Sequence, residues 1–356
     1  MPRERIGAET FRLPVERIRE GYYSDAYFNF TKALLERRGR RPRVLMQVFQ
    51  KQESLLGGID EAIAILRVGA GEQVGGVWQP GFDALEIHAL YEGDAISPWE
   101  TVMTIEGDYA LFAHLETVYL GGMARRSLIM SNVRDVVAAA GAKPIIYFPA
   151  RHDHWLVQTG DGWAAHVGGS IGVSTDAQAS WWGGRGVGTV PHALIAAYGG
   201  DTVAAAKAFC HRFSHEMNVT VLVDFDNDCV GTSLAVAAAL GDDLWAVRLD
   251  TSEKLVDKAL APDGPHGVAP ELVHAVRDAL DAAGHERVRI VVSGGFDAAR
   301  IRRFEADGVP VDSYGVGSSL IRGADDFTAD VVLVDGKPGA KVGRQYNPNP
   351  RLELVT

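Results

Sequence analysis

Cysteine is nearly absent from the chain: Cys210 and Cys229 are the only two in 356 residues. Two thiols are too few for a disulfide framework or a four-thiolate zinc site. Both read as reduced, buried small residues, which gives a cytoplasmic expectation. No apolar run approaches the ~18 residues of a membrane span, so no membrane partner is expected. The opening MPRERIGAETFRLPVERIREG lacks the apolar core of a secretory signal. Excess positive charge is missing too. Lys and Arg number 35 against 46 Asp and Glu, a net charge of −11. No basic, aromatic-interleaved stripe appears, and this argues against a nucleic-acid partner. An anionic small substrate is compatible only if positive charge is concentrated locally. What remains, with 47% hydrophobic and 23% charged residues, is the composition of an ordinary globular protein. The length suits two domains, or one large barrel with additions.

The stretch Val288 to Leu320, VRIVVSGGFDAARIRRFEADGVPVDSYGVGSSL, organises the rest. It reads as two strands, Arg289 to Val292 and Val311 to Tyr314, each running into a glycine loop. The loops are Ser293-Gly294-Gly295 and Gly315-Val316-Gly317-Ser318-Ser319. One helix lies between, with Asp297 as N-cap, Ile301 and Phe304 on one face and Gly308 as its stop. Glycines at both strand ends let backbone N–H groups approach an anion with no Cβ in the way. In α/β barrels the loops after the last two strands often form a phosphate cup. The alternative is a pair of ordinary βα turns that need glycine for positive φ.

Upstream, DAYFNFTKALLERRG predicts a helix with Arg37 and Arg38 near its end and Gly39 as its stop. A strand over Arg43–Gln50 and a helix around Ile59–Leu66 follow. Val74 to Gly107 reads as short strands and turns, so this half is expected to be a separate α+β domain, 1–112. The tail, 326–356, is expected to pack on it. Asp108 to Ala140 reads as a long helical region broken at Gly121-Gly122. In 113–325 apolar runs then recur at Ile145–Phe148, Ala164–Val167, Val187–Val190, Thr220–Val223, Leu244–Leu249, Arg289–Val292 and Val311–Tyr314, separated mostly by alanine-rich helical stretches. This alternation predicts an irregular seven-stranded parallel α/β barrel.

In such a barrel the C-terminal strand ends deliver side chains to one face. On this reading strand one delivers Arg151, His152 and His154, and strand two delivers Gly168, Gly169 and Ser170. Strand three delivers Thr189 and His192, strand four Asp224, and strand five Arg248 and Asp250. The two glycine loops complete the ring. Arg248 and Arg151 supply fixed positive charge suited to carboxylate or phosphate. Asp224 and Asp250 can hold ribose hydroxyls, Mg²⁺ or a developing cation, and His192 can act as base, nucleophile or phosphate acceptor. Singly, each has a structural explanation. Together on successive strand ends they read as an active-site face.

At these residues the sequence resembles nicotinate phosphoribosyltransferase, of the type II group that includes the quinolinate and nicotinamide enzymes. The resemblance runs from SDAYF (Ser24 to Phe28) to VDGKPGAKVGR (Val334 to Arg344), with GTVPHAL, VRLD, VSGG and YGVGSS as its most specific pieces. It implies condensation of a pyridine acid with phosphoribosyl pyrophosphate, with Mg²⁺ carried by the substrate and ATP as co-substrate through a phosphohistidine. It makes His192 that histidine, Phe148 the aromatic stacked on the pyridine, and Arg151 a contact to ring and phosphates. Tyr27 would close the ring site from a neighbouring subunit, implying a homodimer or higher assembly. Arg248 and Asp250 would hold phosphate and ribose, while Ser293, Gly294, Gly295, Gly315, Gly317 and Ser318 would hold the 5′-phosphate. Ser170, where nicotinamide-using relatives carry Asp, would favour an acid substrate.

The chain departs from the family's Gly-Ser/Thr-Arg with Pro149-Ala150-Arg151, followed by His-Asp-His-Trp. The insert SIGVSTDAQASWWGGRGV is rich in Trp and Gly. Nicotinate is the expected acid, with quinolinate or a related pyridine acid as the alternative. The rival from another class is a metal-dependent, amidohydrolase-like barrel built on His152, His154, His166, His192 and Asp250.

Overall fold

The structure, a computed structural model, describes residues 3–355, with the side chain of Arg38 outside the described residues. The chain divides into two compact units, Met1–Ser131 with Gly323–Thr356, and Asn132–Arg322. The division falls inside one helix, Glu116–Ala140.

The first unit is built on a six-stranded antiparallel sheet. Its order is Lys337–Pro338, Phe327–Val334, Arg43–Gln50, Thr101–Asp108, Glu86–Ala89 and Glu353–Leu354. Residues from the chain's end thus pair with its early strands, Arg43–Gln50 against Phe327–Val334. Helix Ile59–Gly69 packs its apolar positions into the core of this unit, where Ile59, Ile65 and Leu66 are buried. The expected break at Gly121-Gly122 does not occur; the helix runs straight through. The close passage of chain here is permitted by Gly58, where a Cβ would lie 3.0 Å from the Gly122 carbonyl oxygen, and not by Gly122, where a Cβ would meet only Glu61 at 3.8 Å.

The second unit is a parallel sheet. Its order is Gly172–Val173, Ile145–Tyr147, Ser313–Val316, Arg289–Val292, Leu244–Leu249 and Val219–Leu222. Burial along these strands is nearly continuous rather than alternating, as expected of a parallel sheet covered on both faces. The segment Val187–Val190 bonds to both edges of the sheet. Val187 N–H donates to the Val173 carbonyl at 2.7 Å, and Val190 N–H donates to the Thr220 carbonyl at 2.8 Å. The sheet therefore curls until one segment links its two edges.

Between strands lie helices with legible ends. Asp201 and Asp228 cap Thr202–Phe213 and Cys229–Leu240, Pro270 opens Pro270–Ala282, and Asp297 accepts from Arg300 N–H at 2.8 Å to cap Ala298–Ala306. Ile301 and Phe304 are its buried face, as read from the sequence.

Three expected strands differ from the structure. Val187–Val190 makes only an isolated bridge, from Val190 to Val221, and the last strand is Ser313–Val316 rather than Val311–Tyr314, so Gly315 and Val316 lie in the strand and the loop begins at Gly317. Ala164–Val167 lies in helix Gln158–Gly168, and the strand that pairs with Ile145–Tyr147 is Gly172–Val173. A short apolar run cannot by itself distinguish strand from buried helix. Here small residues decide it. Gly160, Gly162, Ala164 and Ala165 form a buried face, and a Cβ at Gly162 would overlap the Gln178 backbone.

Candidate active site

The second unit carries a connected polar network at the C-terminal ends of its strands. Strand Leu244–Leu249 leaves the half-buried side chain of Arg248 at this end, and Asp250 follows it. Ser293 follows the neighbouring strand, anchored by its N–H donating to the Leu249 carbonyl at 3.0 Å. Ser293 Oγ then accepts from Arg248 Nε at 2.8 Å and donates to Asp250 Oδ1 at 2.6 Å. Arg248 reaches further. Its Nη1 donates to Thr189 Oγ1 at 3.4 Å, Nη2 stands 3.8 Å from Asp250 Oδ1, and its guanidinium carbon lies 4.8 Å from the centre of the Phe148 ring. One buried hydroxyl thus joins an arginine and an aspartate from the end of the neighbouring strand.

Burial lowers the pKa of Arg248, the charges of Asp250 and Asp224 oppose this, and Arg151 adds repulsion. An arginine starts so far above neutrality that it stays cationic. This is the local concentration of positive charge that a strongly acidic chain needs to hold an anion.

His192 opens a short helix after Pro191 and sets its Nε2 2.9 Å from Asp224 Oδ1. That bond raises the His192 pKa, opposed by burial, with the charges of Asp224 and Asp250 adding to the rise and Arg248 detracting. The pairing commits Nε2 to Asp224 and leaves Nδ1 as the nitrogen for chemistry.

The glycine loops have identifiable steric reasons. Gly294 and Gly295 take φ +89 and +72, the left-handed region that glycine enters freely. At Gly315 the need is space, since an added Cβ would overlap the Phe148 ring. At Gly317 an added Cβ would lie 3.0 Å from His152 Cε1. Ser318 begins the turn Ser318–Ile321, and Ser319 Oγ donates to the Phe296 carbonyl at 2.8 Å, tying the second loop to the first.

Phe148, Thr189, His192, Asp224, Arg248, Asp250, Ser293 and the glycine loops are thus brought to one face. Arg151 is exposed on the turn Pro149–His152, close enough to act on Arg248 and His152 by charge. Ser170 is not on this face. It is buried, and its hydroxyl bonds to the carbonyls of Gly172 at 2.8 Å and Ile145 at 3.2 Å, both first residues of their strands. It belongs to the opposite end of the sheet, and the misplacement follows from the helix read as a strand. The residues that follow Gly172–Val173 on the C-terminal side are Ser174 and Thr175. Tyr27 belongs to the first unit, 59% exposed on helix Ala26–Arg38, with its hydroxyl 3.4 Å from Asp25 Oδ2.

The histidines of the metal-centre alternative scatter. His154 Nδ1 accepts from Leu156 N–H at 3.2 Å, and His166 stacks on Trp182 at 4.4 Å. His192 is engaged by Asp224. Among the described residues no group of three or more His, Cys, Asp or Glu is arranged to hold a metal. At the other end of the sheet a cleft of about 640 Å³ is lined in part by Lys143, Arg277 and Arg287, but these side chains bond to backbone carbonyls.

Sequence reading missed one contributor. Arg300 donates to the Gly294 carbonyl at 2.7 Å and to the Val268 carbonyl at 2.6 Å, and lies 4.2 Å from the Phe296 ring centre. It pins the first glycine loop, and only its place three residues after the capping Asp297 hints at that.

These features define a class: an α/β fold that gathers anion-binding groups at the C-terminal edge of a curled parallel sheet. Residues 25–127 match the family model of the quinolinate phosphoribosyl transferase N-terminal domain. The nicotinate phosphoribosyltransferase pncB1 of Mycobacterium tuberculosis is 34% identical over 265 residues, 72% of this chain and 55% of its own length. The chain thus spans about half the length of that curated relative. The crystal structure of nicotinate-nucleotide pyrophosphorylase from Pyrococcus furiosus is 33% identical, with TM-score 0.79, over 96% of this chain and 84% of that one. Human nicotinic acid phosphoribosyltransferase, 18% identical with TM-score 0.67 over 89% of this chain and 76% of its own, shares the fold. The chain belongs to the type II phosphoribosyltransferase family.

Proposed function

We propose that the protein is a nicotinate phosphoribosyltransferase, condensing nicotinate with phosphoribosyl pyrophosphate to nicotinate mononucleotide and pyrophosphate in NAD biosynthesis. The observation that carries this reading is the Arg248–Ser293–Asp250 network, with Phe148 against the arginine and a glycine loop on either side. The lone pair of the pyridine nitrogen forms the bond to the ribose C1′ as the C1′–O bond breaks, and pyrophosphate leaves with the electron pair. No proton is transferred, so no strong general base is needed. Arg248 and Arg151 neutralise the leaving anion, Phe148 stacks on the pyridine ring, and Asp250 holds the ribose and its developing positive charge. The glycine loops hold the 5′-phosphate. Magnesium carried by the pyrophosphate would be held chiefly by substrate oxygens, with Asp250 as the carboxylate available to it, and would neutralise the leaving group.

His192 is the residue that ATP phosphorylates: Asp224 orients the imidazole so that the Nδ1 lone pair attacks the γ-phosphorus as its bond to the bridging oxygen breaks and ADP leaves, and water later takes the phosphoryl group and releases phosphate. The coupled hydrolysis biases the protein toward its tight-binding form. In the fold, Val187–Val190 acts as the seventh strand of an irregular barrel over 113–325, and residues 1–112 with the returning tail 326–356 form an α+β domain. A second copy supplies Tyr27. Supporting this, Tyr27, Phe30 and Leu34 are exposed at helical spacing along one face of Ala26–Arg38. The protein acts in the cytoplasm.

A quinolinate activity is the second reading, favoured by the match of residues 25–127 to the quinolinate family's N-terminal domain. A second carboxylate calls for more positive charge than Arg151 and Arg248 offer. Pyrophosphate release with nicotinate, quinolinate or nicotinamide, with and without ATP, tests the assignment. Nicotinate should be fastest and stimulated by ATP, whereas release with quinolinate alone would reverse the choice.

A further inference from the structure

The turn Pro149–His152 carries a histidine that the mechanism does not use. His152 leans on the second glycine loop, with its Cε1 3.0 Å and its Nδ1 3.4 Å from where a Cβ on Gly317 would stand. Only a glycine there leaves the ring this close to the loop backbone. The residue is exposed, and among the described residues no hydrogen bond to either of its ring nitrogens is seen. The ring is therefore neither a cap nor a packed core histidine.

We propose that His152 is a titratable ligand of the sugar 5′-phosphate, lying over the loop Gly317–Ser319 and binding the phosphate as imidazolium. The assignment rests on the reading that this loop holds the 5′-phosphate. Loop backbone supplies neutral N–H donors, and an imidazolium adds a charge-assisted bond to an anion that carries about two charges.

The surroundings keep His152 neutral until the anion arrives. Burial lowers its pKa, and the adjacent positive charge of Arg151 lowers it further. The neighbouring carboxylate, Asp153, accepts from the His154 N–H at 2.6 Å. The packed turn Ser318–Ile321 presents hydroxyls and apolar side chains and no ionisable group. A phosphate placed on the loop reverses the balance, and the imidazole takes up a proton as it binds. Sugar-phosphate affinity then rises as pH falls toward the ordinary histidine range, about 6.5.

The test is calorimetric binding of ribose 5-phosphate to the full chain at about pH 6.5 and about pH 8, in buffers of different ionisation enthalpy. The expected result for the wild type is tighter binding at the lower pH with proton uptake. His152→Ala should lose roughly tenfold in affinity at the lower pH and lose the proton uptake. His152→Lys should restore the affinity without the uptake, which a merely structural role would not predict. If His152→Ala binds ribose 5-phosphate as the wild type does, with the same proton uptake, the assignment is wrong while the phosphate loop stands. If the wild type does not bind ribose 5-phosphate, the loop reading fails and this assignment with it.

Discussion

Ser293→Ala removes one oxygen and breaks two bonds. Ser293 is 2% exposed, and its Oγ both accepts from Arg248 Nε at 2.8 Å and donates to Asp250 Oδ1 at 2.6 Å. Each of these bonds has one charged partner, worth about 1.5–3 kcal/mol. The loss is not their full sum. Asp250 keeps its 3.8 Å approach to Arg248, and the Arg248 side chain, 18% exposed, retains some access to water. A cost of about 2–3 kcal/mol in combined stability and sugar-phosphate binding is expected. Its division is the informative part. If the hydroxyl pre-orients Arg248 and Asp250 for the substrate, KM for phosphoribosyl pyrophosphate rises on the order of tenfold or more. The affinity for nicotinate and the thermal midpoint then change little. If the network serves the fold, the midpoint drops and the kinetics of the folded fraction stay normal. Steady-state kinetics with both substrates, beside thermal unfolding, separate the two. An unchanged KM for the sugar substrate would refute the reasoning.

Gly315→Ala drives a Cβ into the Phe148 ring. An overpacking cost of about 1–3 kcal/mol is expected in thermal unfolding. Nicotinate affinity should weaken more than that of phosphoribosyl pyrophosphate. Gly317→Asp places a negative charge in the phosphate loop and should abolish ribose 5-phosphate binding with the fold intact by circular dichroism. Asp224→Asn should lower the His192 pKa in an NMR titration, because the hydrogen bond that His192 donates to Asp224 is the main cause of its rise. The linked stability has the sign of a raised basic group: present below the unfolded value and lost as pH climbs through the folded one. Glu92 in the first unit is the stronger case. Its half-buried carboxyl accepts from the Gly58 and Asp60 N–H groups, and desolvation, with Asp60 nearby, raises its pKa to about 8. Stability is therefore drained as pH rises from the ordinary carboxyl range to about 8, so Glu92→Gln should flatten the fall of the thermal midpoint across that window.

The part of the site that sequence reveals is the part written in local patterns. Val288–Leu320 shows a strand, a capped helix and a second strand because Asp297, Ile301, Phe304 and the glycines each act within a few residues of themselves. His192, Asp224, Arg248 and Asp250 were legible because residues at strand ends face one side of any parallel sheet. Long-range packing was not legible. Small residues on Gln158–Gly168 make it a buried helix, and with the strand misplaced, Ser170 moved to the wrong end of the sheet. Arg300 and Ser319 act through carbonyls that no spacing rule connects to them.

The central claim is that the face around Arg248 joins nicotinate to phosphoribosyl pyrophosphate. Its most direct test is product formation by wild type and Arg248→Met, followed as nicotinate mononucleotide and pyrophosphate. The account predicts equal amounts of both products from the wild type, and a loss of at least about a hundredfold in the folded variant, since a charged partner aimed at the leaving group is worth about 3 kcal/mol or more. Wild-type rates retained by Arg248→Met would contradict it.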